Sequence, residues 1–393
     1  MKITLLVSTL LAFATAFGPL SAAQDLPEGA VVGMRCPGGG VQPKIAQSKE
    51  GDVYLIYFKG EAAAGDLFFV HSEDEGKTFS EPLRVNSEPG TVDGGAMGLR
   101  GGDIRITKNG TVHVAWIGSA RTVEGDDPKA RPLLYARLLA GADAFEPARV
   151  LSGKFVGLDV APTIAIGRSR LLIFWHAPVL GATEKRGGQL PRRIYAVASE
   201  DRGATFSEPK AVNDEKLGVS AGCGMHAEVA KKGRISVMYR EQNPPNRDFR
   251  ILTTEDDGET YDTFLGDQQR IRKSPRTDIG GTLSVRGPLF AWGNFDSVWW
   301  TRLNKDNGKI VPPLGARKKE AWRGHPDIIS NERAVIMAWC EGDERGKTTR
   351  IGWQGYDLRN RFPIGLGIIP DVPANTTPAL FLRRSSRGFT IVY

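Results

Sequence analysis

The stretch Ser72-Glu73-Asp74-Glu75-Gly76-Lys77-Thr78-Phe79 decides the fold, because it recurs. Ser199-Glu200-Asp201-Arg202-Gly203-Ala204-Thr205-Phe206 and Thr254-Glu255-Asp256-Asp257-Gly258-Glu259-Thr260-Tyr261 keep the same order. The chemistry of S-x-D-x-G-x-T-aromatic is local. A carboxylate and hydroxyls cap the backbone N–H groups of a tight turn. The glycine takes the left-handed position and the aromatic enters a core. The first two copies run on into Ser-Glu-Pro. Phe145-Glu146-Pro147 keeps the aromatic without the box, and Asp306-Asn307-Gly308 is a further remnant. Nothing in this pattern asks for catalysis, so the boxes read as structural.

Working outward, each box follows an alternating strand that ends on an aromatic. Gly51 to Tyr57, Gly110 to Trp116, Leu171 to Trp175, Gly233 to Tyr239, Gly287 to Trp292 and Arg333 to Trp339 are such strands, and Gly388 to Tyr393 is the last. The closing aromatics stand 47 to 64 residues apart. Short alternating strands, Gly-rich turns and a repeat of this length predict an all-β propeller of four-stranded antiparallel blades with box-bearing hairpins. Six units fit, so six blades are expected, with seven as the alternative. The half-unit Ala379–Tyr393 needs a partner strand, and Ala30–Arg35 can supply it and close the ring. No shift of composition marks a second domain, so residues 24–393 read as one propeller.

Composition narrows the class. The chain has 393 residues, 25% charged and 40% hydrophobic, with 47 Gly, 24 Pro and 3 Cys. These are globular proportions. Three cysteines cannot make a disulfide scaffold, and Cys36, Cys223 and Cys340 lack zinc spacing. Lys2, the apolar run from Ile3 to Phe17 and the small residues Ser21, Ala22 and Ala23 read as a secretory leader, residues 1–23, cut after Ala23. The run is short of the ~20 residues a membrane span needs. An exported, monomeric protein is expected. The formal charge of +7 is spread along the chain. It favours an acidic glycan or glycoconjugate as partner, while no basic-aromatic cluster points to nucleic acid.

With boxes on this period, residues 30–393 resemble the sialidase superfamily of propellers, and most of all bacterial exported sialidase-like proteins. The resemblance implies exo-α-sialidase-type glycoside hydrolysis: three arginines hold the sugar carboxylate, an Asp is acid/base, and a Glu-activated Tyr is the nucleophile. Carried over residue by residue, the first arginine is missing from Val41-Gln42-Pro43, and Lys44 supplies charge without a fork. Asp66 takes the acid/base place, with Glu61 as substitute. Arg240 matches the second arginine, Glu228 lies near the Glu, and His325 stands where the Tyr would be. Glu341 follows the last aromatic strand. Arg276, Arg302 and Arg323 are candidates for the third arginine.

Inner strands of a propeller open on its channel, so polar residues at their starts form a second set. They are Asp103, Arg105, Asp159, His226, Glu228, Asp278, His325 and Asp327, flanked by Arg100, Arg276 and Arg323. Acids, histidines and arginines on one ring suit acid–base chemistry or an anionic sugar. The polar loops 182–193 and 240–248 are further candidates. The catalytic candidates are thus Asp66, Glu228 and His325. The binding candidates are Arg240, Lys44, Arg105, Asp103, His226, Arg276, Asp327 and Glu341. No metal or cofactor is expected. A non-catalytic propeller that binds a glycan or a protein is the alternative, because the first arginine and the Tyr are lost while the boxes persist.

Overall fold

The computed structural model describes residues 26–393 apart from 96–100, 124–129, 186–187, 244–246, 269–277, 305, 318–320 and 345–346. The leader reading and Arg276 lie outside the described residues. No helix among the described residues is long and apolar enough to cross a membrane.

The described strands build seven sheets. Six are four-stranded and antiparallel, with the strands in chain order from the inside out. Blade 1 shows the plan: Val41–Gln47, Val53–Glu61, Ala64–Ser72 and Leu83–Arg84. The inner strands of blades 2 to 6 are Gly102–Ile106, Thr163–Ile166, His226–Val229, Ile279–Ser284 and Trp322–Ser330. The last sheet has three strands: Ala379–Arg383, Gly388–Val392 and, parallel to the second, Val31–Met34.

Six blades was therefore one too few. The pairing of the two chain ends holds, with Val31 opposite Phe389 and Met34 opposite Val392. But Ala379–Arg383 packs between the inner strands of blades 6 and 1, so the ring has seven inner strands. The repeat carries seven aromatic-ended strands, one per blade. Reading the last as a half-unit overlooked that two strands and a borrowed third make a blade.

The core lies between blades. Trp116, Trp175, Tyr239 and Trp292 are fully buried, and Tyr57 and Trp339 nearly so. The box turns form as their chemistry requires. Asp74 accepts from the Thr78 amide (2.9 Å) and hydroxyl (2.7 Å), and the Gly76 amide donates to Ser72 Oγ (2.8 Å). Asp201 and Asp256 repeat these contacts. The residue before each glycine is also left-handed, with φ of 62° at Glu75, 58° at Arg202 and 52° at Asp257. The aromatic that follows wedges into the preceding blade. Phe206 meets Tyr135 edge-on at 4.9 Å and Tyr261 meets Phe174 at 6.3 Å. Phe145, which has no box, meets Phe69 at 5.6 Å in the same way.

Each inner strand runs towards a short hairpin, at the end where the box turns also lie. The opposite end carries the longer connections, such as 85–101, 118–132, 179–191 and 212–225. The candidate residues at strand starts belong to this long-loop end.

Candidate functional site in the channel

Four inner strands send charged side chains into one cluster. Arg105 of blade 2 donates from Nη1 to Asp103 Oδ1 (2.9 Å) and from Nη2 to the Ala227 carbonyl of blade 4 (3.2 Å). The same nitrogen lies 3.9 Å from Glu228 Oε1 and 3.4 Å from His226 Nε2. His226 Nε2 and Glu228 Oε1 are 2.7 Å apart. Burial works against the Arg105 charge, but Asp103, Glu228 and Asp327 outweigh it and hold the guanidinium firmly protonated.

Asp327 of blade 6 belongs to the same field. Burial pushes its carboxyl above the usual carboxylate range, opposed by the charges of Lys44 on blade 1 and of His226. The cluster needs room, and blade 5 provides it by having no side chains there. A Cβ on Gly281 would stand 2.5 Å from the His226 ring, and one on Gly280 would stand 2.7 Å from the Asp327 backbone. The sequence reading missed this pair. A Gly-Gly inside an alternating strand was its visible sign.

Several of these groups also join blade to blade. Asp103 Oδ2 accepts from the Ile164 amide (2.8 Å), Thr163 Oγ1 from the Ala227 amide (3.0 Å), and Asp327 Oδ2 from the Leu380 amide (3.1 Å). One face of each residue thus holds the ring closed. Asp103 and Asp327 carry both duties.

The structure thus brings Lys44, Asp103, Arg105, His226, Glu228 and Asp327 together and sets the other candidates elsewhere. Asp66 sits on the third strand of blade 1 and accepts from Asn86 Nδ2 (2.7 Å) and the Gly90 amide (2.9 Å). Arg240 is fully buried. Its Nε donates to the Arg247 carbonyl (2.8 Å), its guanidinium lies 5.1 Å from the Phe249 ring centroid, and Cys223 faces its charge. It offers a ligand no surface here. His325 is buried, left-handed (φ 48°) at a bulge, and lies 3.3 Å from Asp278 across the blade 5–6 junction. Glu341 is buried between Arg323 (2.9 Å) and Arg350 (3.0 Å). Asp159 accepts from Arg192 (3.0 Å) and from the Gly222 amide (3.0 Å). Arg302 ends the third strand of blade 5 at the box end, away from Arg323 at the start of the inner strand of blade 6.

No protein-family model matches the chain, and no curated protein sequence matches it. Solved structures do. A Hadza microbial sialidase superposes with a TM-score of 0.53 at 13% identity, covering 82% of this chain and 67% of that one. The chain resembles the propellers of sialidases. An α-L-arabinanase from Penicillium chrysogenum gives 0.53 at 11% identity, covering 82% and 94%. The NanB sialidase of Streptococcus pneumoniae gives 0.51 at 11%, covering 91% and 70%. At these identities the shared property is the propeller fold.

Proposed function

We propose that the protein is a sialidase-like, glycan-acting propeller of the glycoside-hydrolase kind, and that its reaction centre is the channel cluster. The observation that carries this reading is the meeting of Glu228, His226 and Asp327 with two cations. Glycoside cleavage needs two carboxyl groups in opposite protonation states. Asp327, pushed up by burial, is the proton donor to the leaving oxygen. Glu228, beside Arg105 and His226, is the carboxylate that serves as base or nucleophile. Lys44 and Arg105 favour a sugar that carries its own carboxylate, as a sialoside does. On this reading Asp66 and His325 hold loops and blade junctions, and the acid/base place passes to Asp327.

The test is release of the fluorophore from an α-sialoside, with an α-L-arabinofuranoside alongside. Asp327→Asn and Glu228→Gln should each lower turnover by ~10²-fold or more, while Asp66→Asn leaves it within a few-fold. Turnover insensitive to both channel variants would sink the assignment. A second reading has its own observation: Arg105 is already paired with Asp103. A non-catalytic glycan binder would give saturable binding of a sialylated oligosaccharide without release of product. Export of a monomer after removal of residues 1–23 completes the proposal. Mass spectrometry of the secreted chain would find Gln24 first.

A further inference from the structure

At the box end of the molecule, far from the channel cluster, three arginines converge where blades 5 and 6 meet. Arg286 lies on the first hairpin of blade 5 and Arg302 ends that blade's third strand. Arg361 lies on the last turn of blade 6, left-handed at φ 67°. Its guanidinium rests 4.8 Å from the centroid of the Trp300 ring. Arg302 donates from Nη1 to the Leu358 carbonyl (3.1 Å).

The charges here are unmatched. Among the described residues no ion pair joins any of the three to an acid. The acid on the same turn, Asp357, receives the Arg359 (2.8 Å) and Asn360 (2.9 Å) amides instead. Burial, and then the neighbouring Arg302, weakens the hold of Arg361 on its proton; burial, and then Arg286, does the same to Arg302. Arg361 Nε and Nη2 are buried without a hydrogen-bond partner among the described residues. These two nitrogens form one edge of the guanidinium, the edge that takes two oxygens of a single oxyanion. Buried donors without acceptors and like charges side by side both oppose folding unless an anion joins them.

We infer that Arg302 and Arg361, with Arg286 at the rim, form a binding site for a tetrahedral oxyanion, sulfate or phosphate, free or esterified. Arg361, whose Nε–Nη2 edge is covered in the free protein, turns that edge outward to grip two oxygens. The remaining donors of Arg302 take a third. The site is separate from the channel, so its success or failure leaves the proposed function untouched.

Thermal unfolding of the whole chain tests it, with sodium sulfate added up to ~20 mM at constant ionic strength set by sodium chloride. Anion binding to the folded state alone should raise Tm by roughly 2 °C or more. The double variant Arg302→Gln/Arg361→Asn should lose this rise, Asn being at ease at a left-handed position. Arg359→Gln, which removes the same charge from the same turn, should keep it. A rise of equal size in wild type and double variant, or none in wild type, overturns the proposal. Sodium phosphate and chondroitin sulfate identify the source. A stronger response to the polymer at equal sulfate assigns an ester group, and an equal response assigns the free ion.

Discussion

His113 and His176 show what a single burial does in this protein. His113 packs beside Tyr135, 2.7 Å from its hydroxyl, and His176 accepts from Arg192 Nε at 2.9 Å. Burial, aided by Arg137 and Arg192 respectively, takes each imidazole from 6.5 down to about 4. The folded value lies below the unfolded one, so the unfolded chain takes up protons that the folded chain refuses. The stability this supplies is complete above pH ~6.5 and is lost as the pH falls through 4. Each histidine accounts for up to roughly 3 kcal/mol. Urea midpoints should therefore fall from pH 7.5 to pH 4.5, and fall less in His113→Gln. An unchanged fall in that variant would contradict the reading. Most of the channel residues were legible because position alone put Asp103, Arg105, His226, Glu228 and Asp327 on inner strands, whereas Lys44 entered only through the sialidase resemblance. Asp66 was not, since its bonds come from a loop that returns at Asn86 and Gly90. Nor was Arg240, whose burial depends on Phe249 and the hairpin after it.

At the level of the element, the turn and its aromatic separate into two functions. The box fixes the hairpin, and the aromatic ties one blade to the previous one. Phe145 does the second without the first. Phe145→Ala should accordingly cost ~2–3 kcal/mol, while Asp143→Ala on the same exposed turn should change stability little. Equal effects in urea unfolding would show that the wedge is not the tie. The strand pattern, the turns and the borrowed N-terminal strand could be read from the chain because their causes are local. The blade number could not. It depends on whether Ala379–Arg383 completes a neighbour or stands in the ring itself, and only packing against Val41–Gln47 and Trp322–Ser330 settles that. The Gly280–Gly281 gap is of the same kind, set by a ring from another blade.

For the whole molecule, closure rests on one short parallel pairing. Without Val31–Met34, blade 7 has two strands and Gly388–Val392 becomes an open edge. A chain beginning at Pro37 should unfold at lower urea and scatter light as edges pair between molecules. A full urea midpoint and a monomeric solution would refute this. The same joint has a consequence in time. Every other blade is built from neighbouring segments, but this one waits for residues 31 and 389 to find each other across the rest of the chain. Loop-closure entropy makes such an encounter slow, and non-local pairings of this kind set the pace of folding. The seam is then the last step in and the first step out, so amide exchange at Val32 and Ile391, whose N–H groups face each other's strands, should outrun that of the other inter-strand amides described.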